Sequence, residues 1–482
     1  MIGPVDIRLA PAALGAWIVC FIGVTTPYLP VVLAAVTIVG IGGLVWPRGR
    51  PRHRVQWRGW VSYTLLAASC VSVVAGTITT LHIQHRKSLT DVVVDSAEQG
   101  SPLLIRLTSD AREGARGFGT HGVVLDDQSR LGAGWLALPV YVMNAQPDWR
   151  AGETVLLHAH AYEVDDHRVI VSATAVVHHD QPQGIYALVG ILRDGVRESS
   201  KHLAPQARGL VPGVSIGDDR RLPAHIDEAM RTTSLTHLTA VSGAHVGVVV
   251  GTTMVVLGRT PRSVRVAGSL TVLLLMVIVV LPTPSVVRAA GMGAMTLVAM
   301  LRRRPRVALS ALFATVIGLL LHDPWLATSI GFGLSVAATT GILTTSRVIG
   351  SLLGQGALAR AGGVALAAQL WCAPLLLTFD SSLATYSVPA NILAVPALAP
   401  STVLSLASAV AFPLMPTVSV WLAKIAGLFT GWIATCATVF ADLPGAALPW
   451  LEGPVGVINL VGWLVVGIWF AVWLNRKRTW QA

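Results

Sequence analysis

A run of about 20 apolar residues carries a helix across the hydrocarbon core of a bilayer, and this chain is built mostly of runs near that length. Helices are expected near 10–26, 30–46, 60–82, 235–257, 266–283, 285–301, 307–322, 326–345, 362–379, 388–411, 417–440 and 454–474. Such a pattern excludes a soluble globule. Apolar residues make up 53% of the chain and charged ones 12%, where a soluble domain carries roughly a quarter charged. Mean hydropathy is +0.65. The first run, Leu9–Thr25, has the character of a signal peptide, but a second run follows at once without a convincing small-residue cleavage site, so a retained helix is expected.

The loops give the orientation. Arg48, Arg50, Arg52, Arg54 and Arg58 follow the second helix, and Arg259, Arg262 and Arg265 the fourth. Arg302, Arg303, Arg304 and Arg306 follow the sixth, Arg347 and Arg360 the eighth, and Arg476, Lys477 and Arg478 the twelfth. Short loops rich in Lys and Arg stay cytoplasmic, so both termini are expected in the cytoplasm, in a bacterial inner membrane. Asp323, Asp380, Asp442 and Glu452 all fall on the other side. This asymmetry explains the net charge of +11, which by itself says nothing about a nucleic-acid partner. Cys20, Cys70, Cys372 and Cys436 lie inside apolar runs, which argues against a disulfide framework or a cysteine metal site.

One long polar stretch interrupts the pattern, at residues 84–184, with eight basic and thirteen acidic side chains. The topology puts it outside the cytoplasm. Short strands are expected at 103–107, 121–125, 135–142, 155–162 and 168–173, separated by Gly, Asp, Asn and Pro turns. Five such strands suit a small Greek-key barrel such as an OB-fold; periodicity equally allows a sandwich. Residues 185–202 pattern as an amphipathic helix with Leu188, Val189, Leu192 and Val196 opposite Arg193, Arg197 and Lys201. It is read either as lying on the outer membrane surface or as packing on the barrel. The expected organisation is a three-helix membrane segment (1–83), an extracytoplasmic OB-like β-domain (84–184), an interfacial linker (185–234) and a membrane domain of about nine helices (235–482). The fold class is thus a polytopic α-helical membrane protein with about 12 transmembrane helices and one small β-barrel.

Residues 236–247 concentrate polar groups where a membrane helix is expected: His237, Ser242, Gly243 and His245 among them. Ionisable side chains in hydrocarbon need a partner or a water-filled cavity, and Ser-Gly within a helix weakens its backbone ladder. The segment therefore reads as pore or gate lining. The alternative is a tight helix crossing through Gly243 and Gly247. Ser242 and His245, three residues apart, are the only candidate nucleophile and base for an intramembrane hydrolase. His158, His160, Asp165, Asp166 and His167 could be assembled into a zinc site, but paired surface histidines are the simpler reading, and neither metal nor cofactor is expected.

The stretch Leu235-Thr236-His237-Leu238-Thr239-Ala240-Val241-Ser242-Gly243-Ala244-His245-Val246 resembles the HLLAISGLHV signature of the ComEC competence family. Further segments resemble that family in order: Pro284-Ser285-Val286-Val287-Arg288-Ala289, His322-Asp323-Pro324-Trp325, Gly331-Phe332-Gly333-Leu334-Ser335, Gln369 in its AAQL helix, and Pro389-Ala390-Asn391-Ile392-Leu393-Ala394-Val395-Pro396. The resemblance implies a channel that passes single-stranded DNA into the cytoplasm during natural transformation. It implies no catalysis in this chain and names His237, Ser242, Gly243, His245, Ser285, Arg288, Gln369 and Asn391 as candidates for the DNA path. The partners it implies are single-stranded DNA, the lipid bilayer, a DNA receptor, a cytoplasmic translocation ATPase and a separate nuclease; a homo-oligomer stays open. Two departures stand out. Gly333 replaces the family's glutamine, and with the expected twelfth helix ending eight residues before the last residue, the metallo-β-lactamase-like domain of many members is not expected. On the β-domain, Trp135, Tyr141, Trp149 and Tyr162 are candidate stacking platforms, and Arg106, Arg112, Arg116 and Arg130 a candidate basic patch. A secondary transporter for a small solute remains the alternative function, with the hydrolase behind it.

Overall fold

A computed structural model describes residues 9–45, 56–114, 117–125, 138–165, 168–239, 241–281, 284–301, 308–463 and 466–467. The chain divides into two compact units, one of residues 8–192 with 316–328 and one of residues 193–315 with 329–482.

The first unit opens with α1 (Ala10–Thr25), α2 (Leu29–Val45) and α3 (Gln56–Glu98). The third helix was expected to stop at His82, where the apolar run ends, yet it continues for four more turns. Leu89, Val93 and Ala97 recur every fourth residue along that extension, and all three pack on the core of the β-domain. An amphipathic face thus takes over where the membrane-type run stops.

The β-domain contains β1 (Leu103–Leu107), β2 (Arg112–Gly114), β3 (Gly117–Val124), β4 (Pro139–Met143), β5 (Thr154–Asp165) and β6 (Arg168–Asp180). β1 pairs antiparallel with both β3 and β5, β5 with β6 and β3 with β4, while β4 runs parallel to β6. These pairings close a five-stranded circuit, β1-β3-β4-β6-β5-β1, with β2 appended to β3. That is the strand order of an OB-fold, and closure excludes the open sandwich. Leu103, Ile105 and Leu107 point inward from β1 in strict alternation, as a strand with one buried face requires. Ile105, Leu157, Val171 and the fully buried Trp149 fill the interior. The segment 316–328 docks on the helices of this unit: Trp17 Nε1 donates to Ala327 O at 3.0 Å. Arg86 reaches Asp323 at 3.4 Å and lies 3.5 Å above the Trp325 ring.

The second unit takes in the second half of α4 (Ile185–Ser200) and continues with α5 (Pro205–Ile216), α6 (Ala224–Thr232), α7 (Gly243–Val256), α8 (Arg262–Val280), α9 (Pro284–Leu301) and the start of α10 (Ala308–His322). Then come α11 (Ile330–Leu353), α12 (Ala357–Leu376), α13 (Ser387–Ala411) and α14 (Pro416–Ala441), with a two-stranded ribbon of β7 (Ser382–Ala384) and β8 (Ala447–Pro449). A last apolar helix, α15, covers Gly453–Trp463. Among the described residues five helices are long and apolar enough to cross a membrane: Thr64–Glu98 within α3, then α8, α11, α13 and α14. Small residues bring α11 and α12 together: a Cβ on Gly363 would sit 2.5 Å from Ser346 O. α5 and α6 pack inward, with Leu210, Ile226 and Met230 joining Ala390, Ala394 and Ile433 in one apolar cluster.

The amphipathic helix keeps only part of its expected facing. Val189 and Val196 are buried, but Arg193 and Arg197 are buried too, while Leu188 is exposed. The reason is a set of acceptors that the sequence pattern does not display. Arg193 Nη1 donates to Ile216 O at 2.9 Å and Val279 O at 3.1 Å, the closing carbonyls of α5 and α8, where a cation also meets the negative ends of both helix dipoles. Arg197 Nε donates to Asp218 at 2.7 Å, and Arg220 forks onto the same carboxylate at 2.8 Å.

Candidate functional site

α6 ends at Thr233, and Ser234 turns the chain with a φ of 55°. The expected helix over 235–257 does not form as one piece. A 3-10 turn at Thr236–Leu238 is followed by extended backbone at Ser242, and the α-helix begins only at Gly243. Ser-Gly is therefore a helix start and not an interruption. Sequence accounts for this locally. Ser242 takes the N-cap position, and its backbone N–H donates to Nδ1 of His245, 3.1 Å away. A histidine thus fills the role that Glu or Gln plays in an ordinary capping box. Leu235 and Leu238 are fully buried and anchor the turn. From below, Gly213 of α5 approaches closely: a Cβ there would lie 3.1 Å from Thr239 O.

The resulting α7 has 14 residues, a rise of about 21 Å against a hydrocarbon core of about 30 Å. Non-helical backbone at such a depth is tolerated only against protein or water. Gly243 and Gly247 show which side is open. A Cβ on Gly243 would meet only Ala289 Cβ at 3.9 Å, and one on Gly247 nothing within 4 Å. The tight crossing through these two glycines is not present.

His245 has no exposed surface, and its Nε2 has no hydrogen-bond partner among the described residues. Because Nδ1 accepts from Ser242 N–H, the proton of the neutral ring sits on Nε2. Ser242 Oγ also lies 3.1 Å from Nδ1, but among the described residues no group orients the ring from its far side, as a working nucleophile–base pair requires. The arrangement is a helix cap. His237 is exposed, with Nδ1 donating to Ser234 O at 3.0 Å.

Arg288 sits in the second turn of α9 and is buried. Among the described residues it pairs with neither Asp380 nor Asp442, the carboxylates expected on the far side of the membrane from the arginine clusters. Nη2 donates to Gly331 O at 2.7 Å, and the guanidinium lies 5.3 Å above the Phe332 ring. Nε and Nη1 have no partner among the described residues. Arg288 therefore ties the Pro284–Ala289 segment to the Gly331–Ser335 segment. Ser285 lies in the first turn of α9, and its side chain is outside the described residues.

Gln369 and Asn391 are brought together by Ser387, which the sequence reading did not single out. Ser387 Oγ donates to Gln369 Oε1 at 3.0 Å, and Asn391 Nδ2 donates to Ser387 O at 2.8 Å. The available signal was spacing: Ser387 precedes Asn391 by one helical turn. No hydrogen bond joins this group to Arg288 or His245 among the described residues, yet the helices that carry them form a closed circuit. α7 touches α9, α9 touches α11, α11 touches α12, α12 touches α13, and α13 returns to α7. Gly333, which stands where a glutamine was expected, leaves only Leu375 Cδ2 at 3.0 Å from a would-be Cβ.

On the β-domain, Trp149 is core and unavailable for stacking, Tyr141 is half-buried against His121, and Tyr162 is exposed. Trp135, Arg116 and Arg130 lie outside the described residues. His178 and His179 each meet a carboxylate, Asp180 and Glu153, at 2.9 Å. Asp166 and His167 are outside the described residues, among which no group of three or more His, Cys, Asp and Glu gathers.

Comparison with known proteins adds the lineage. A family described as "Competence protein" matches residues 214–477. ComE operon protein 3 of Bacillus subtilis (strain 168) is 28% identical over 231 residues, which is 47% of this chain and 29% of that protein. The match thus spans less than a third of that relative's length. No solved structure matches. The family match covers more than half of the chain and contains every candidate residue of the helical circuit, so this membrane protein belongs to the competence protein family, of the ComEC type.

Proposed function

We propose that this protein is the inner-membrane channel through which single-stranded DNA enters the cytoplasm during natural transformation. The observation that carries this reading is the closed circuit α7-α9-α11-α12-α13. Its members hold Gly243, His245, Arg288, Gln369 and Asn391, and the circuit is entered at a broken helix beside His237 and Ser242. A strand in transit needs polar groups that are preset yet unsaturated, and Nε2 of His245 and Nε and Nη1 of Arg288, which have no partner among the described residues, are such groups. In this reading all twelve helical segments span the membrane, both termini are cytoplasmic, and the barrel lies outside, where an OB-fold can meet a strand before it enters. The chain would conduct and not cut. A surface receptor, a cytoplasmic ATPase and a separate nuclease would supply the remaining steps.

The test is gene disruption with transformation scored against growth. Loss of transformation with normal growth on defined medium, restored by the intact gene, supports the channel. Retained transformation together with a solute requirement overturns it in favour of a small-solute transporter. Labelled DNA separates entry from binding: the disrupted strain should still bind DNA outside and accumulate none inside.

A further inference from the structure

Three helix ends in the second unit enclose a cavity of about 230 Å3, lined by Met254 of α7, Arg262, Arg265 and Val266 of α8, and Met300 of α9. Arg262 and Arg265 stand one turn apart in the opening turns of α8. Neither guanidinium has an ion pair or hydrogen bond among the described residues, and Nε of Arg265 is buried with no partner. Both side chains are half-buried, and with one buried donor lacking an acceptor and two charges unneutralised by the described residues, the cavity suits an anion. Its depth follows from α8 itself. That helix is apolar and long enough to cross a membrane, which places its first turn at headgroup level. Val255, Val256 and Leu301 nearby are exposed apolar side chains, a rim suited to acyl chains and not to water.

We propose that this cavity holds the headgroup phosphate of an anionic phospholipid, in the leaflet marked by the arginine clusters. Arg262 and Arg265 take the phosphate oxygens, and Met254, Val266 and Met300 line the glycerol and the first acyl carbons. Two uncompensated cations select a lipid of net negative charge over a zwitterionic one. The apolar lining selects a tethered phosphate over a free one, and methionine adapts to an irregular chain. A bound lipid here would join the ends of α7, α8 and α9, two of which belong to the channel circuit.

The full chain, purified into neutral phosphatidylcholine nanodiscs doped with phosphatidylglycerol, provides the test, with retained lipid read by native mass spectrometry. Wild-type protein is expected to retain phosphatidylglycerol about tenfold or more over phosphatidylcholine. The Arg262→Gln/Arg265→Gln variant should lose that preference, while Arg262→Lys/Arg265→Lys and the distant Arg347→Gln should keep it. Arg262→Gln alone gives the same comparison if the double variant does not survive purification. Equal retention of the two lipids by wild type, or an unchanged preference in the glutamine variants, overturns the proposal. So does full displacement of phosphatidylglycerol by millimolar inorganic phosphate, which would mark a site for free anions.

Discussion

Arg288 carries the sharpest test at the scale of single residues. Its Nη2 bond to Gly331 O is charge-assisted, a class worth about 1.5–3 kcal/mol, so its loss corresponds to roughly tenfold or more in any rate that depends on it. Arg288→Gln is expected to lower transformation at least about tenfold, with membrane abundance on immunoblots near wild type. Arg288→Lys, which keeps the charge and one donor, should retain most of it. Unchanged transformation in the glutamine variant would remove Arg288 from the path. Gly243 gives a second test, set by space: Ala289 Cβ at 3.9 Å admits a methyl group, so Gly243→Ala should transform normally. Gly243→Leu, which fills the open side of the helix start, should abolish import at normal abundance and leave external DNA binding intact. The polarity of residues 236–247 was legible from the letters alone. What hid the helix start was His245: a histidine does not announce a capping box as Glu or Gln does, so Ser-Gly read as a flaw within a helix. Ser387 was missed because a serine in an apolar run is ordinary until its two partners are known.

Elements were legible where periodicity is local and illegible where a partner decides. The strands of the barrel followed from alternation and turn residues, whereas closure rests on β1 pairing with both β3 and β5, between residues far apart in sequence. The burial of Arg193 and Arg197 in α4 was not legible because their acceptors come from α5, α8 and Asp218. Burial opposes the charge on Asp218, but hydrogen bonds from Arg220 and the charges of Arg197 and Arg220 outweigh it and hold the carboxyl well below its ordinary range. A carboxyl depressed by folding contributes stability that is fully present above the unfolded-state pKa and is lost as pH falls through the folded one. Asp218→Asn strands two cations and should cost about 3–5 kcal/mol, seen as a lower melting temperature of the purified chain. The gap to wild type should stay constant from about pH 7 to 5 and narrow only below the ordinary carboxylate pKa of about 4. A gap that already closes between pH 7 and 5 would contradict the depressed carboxyl.

For the whole molecule, the proposed topology makes opposite claims about two exposed positions, Ser263 in the first turn of α8 and Glu452 beyond β8. Glu452→Cys is expected to react with a membrane-impermeant thiol reagent in intact cells, and Ser263→Cys only after the cells are opened, with the four native cysteines replaced in both. The reverse pattern would invert the chain and put the barrel in the cytoplasm. Sequence alone marked the apolar runs, five of which form helices long and apolar enough to cross a membrane among the described residues, because hydropathy acts residue by residue. It could not carry the length of α3, whose last four turns are helical on account of a barrel that the chain has yet to build. From Thr77 to Glu98 that helix contains neither glycine nor proline, the residues at which helices ordinarily bend. The barrel is therefore not a float on a tether but the head of a rigid mast, with Val93 and Ala97 set into its base. Any lean of the mast within the bilayer must swing the head sideways, without slack and in step.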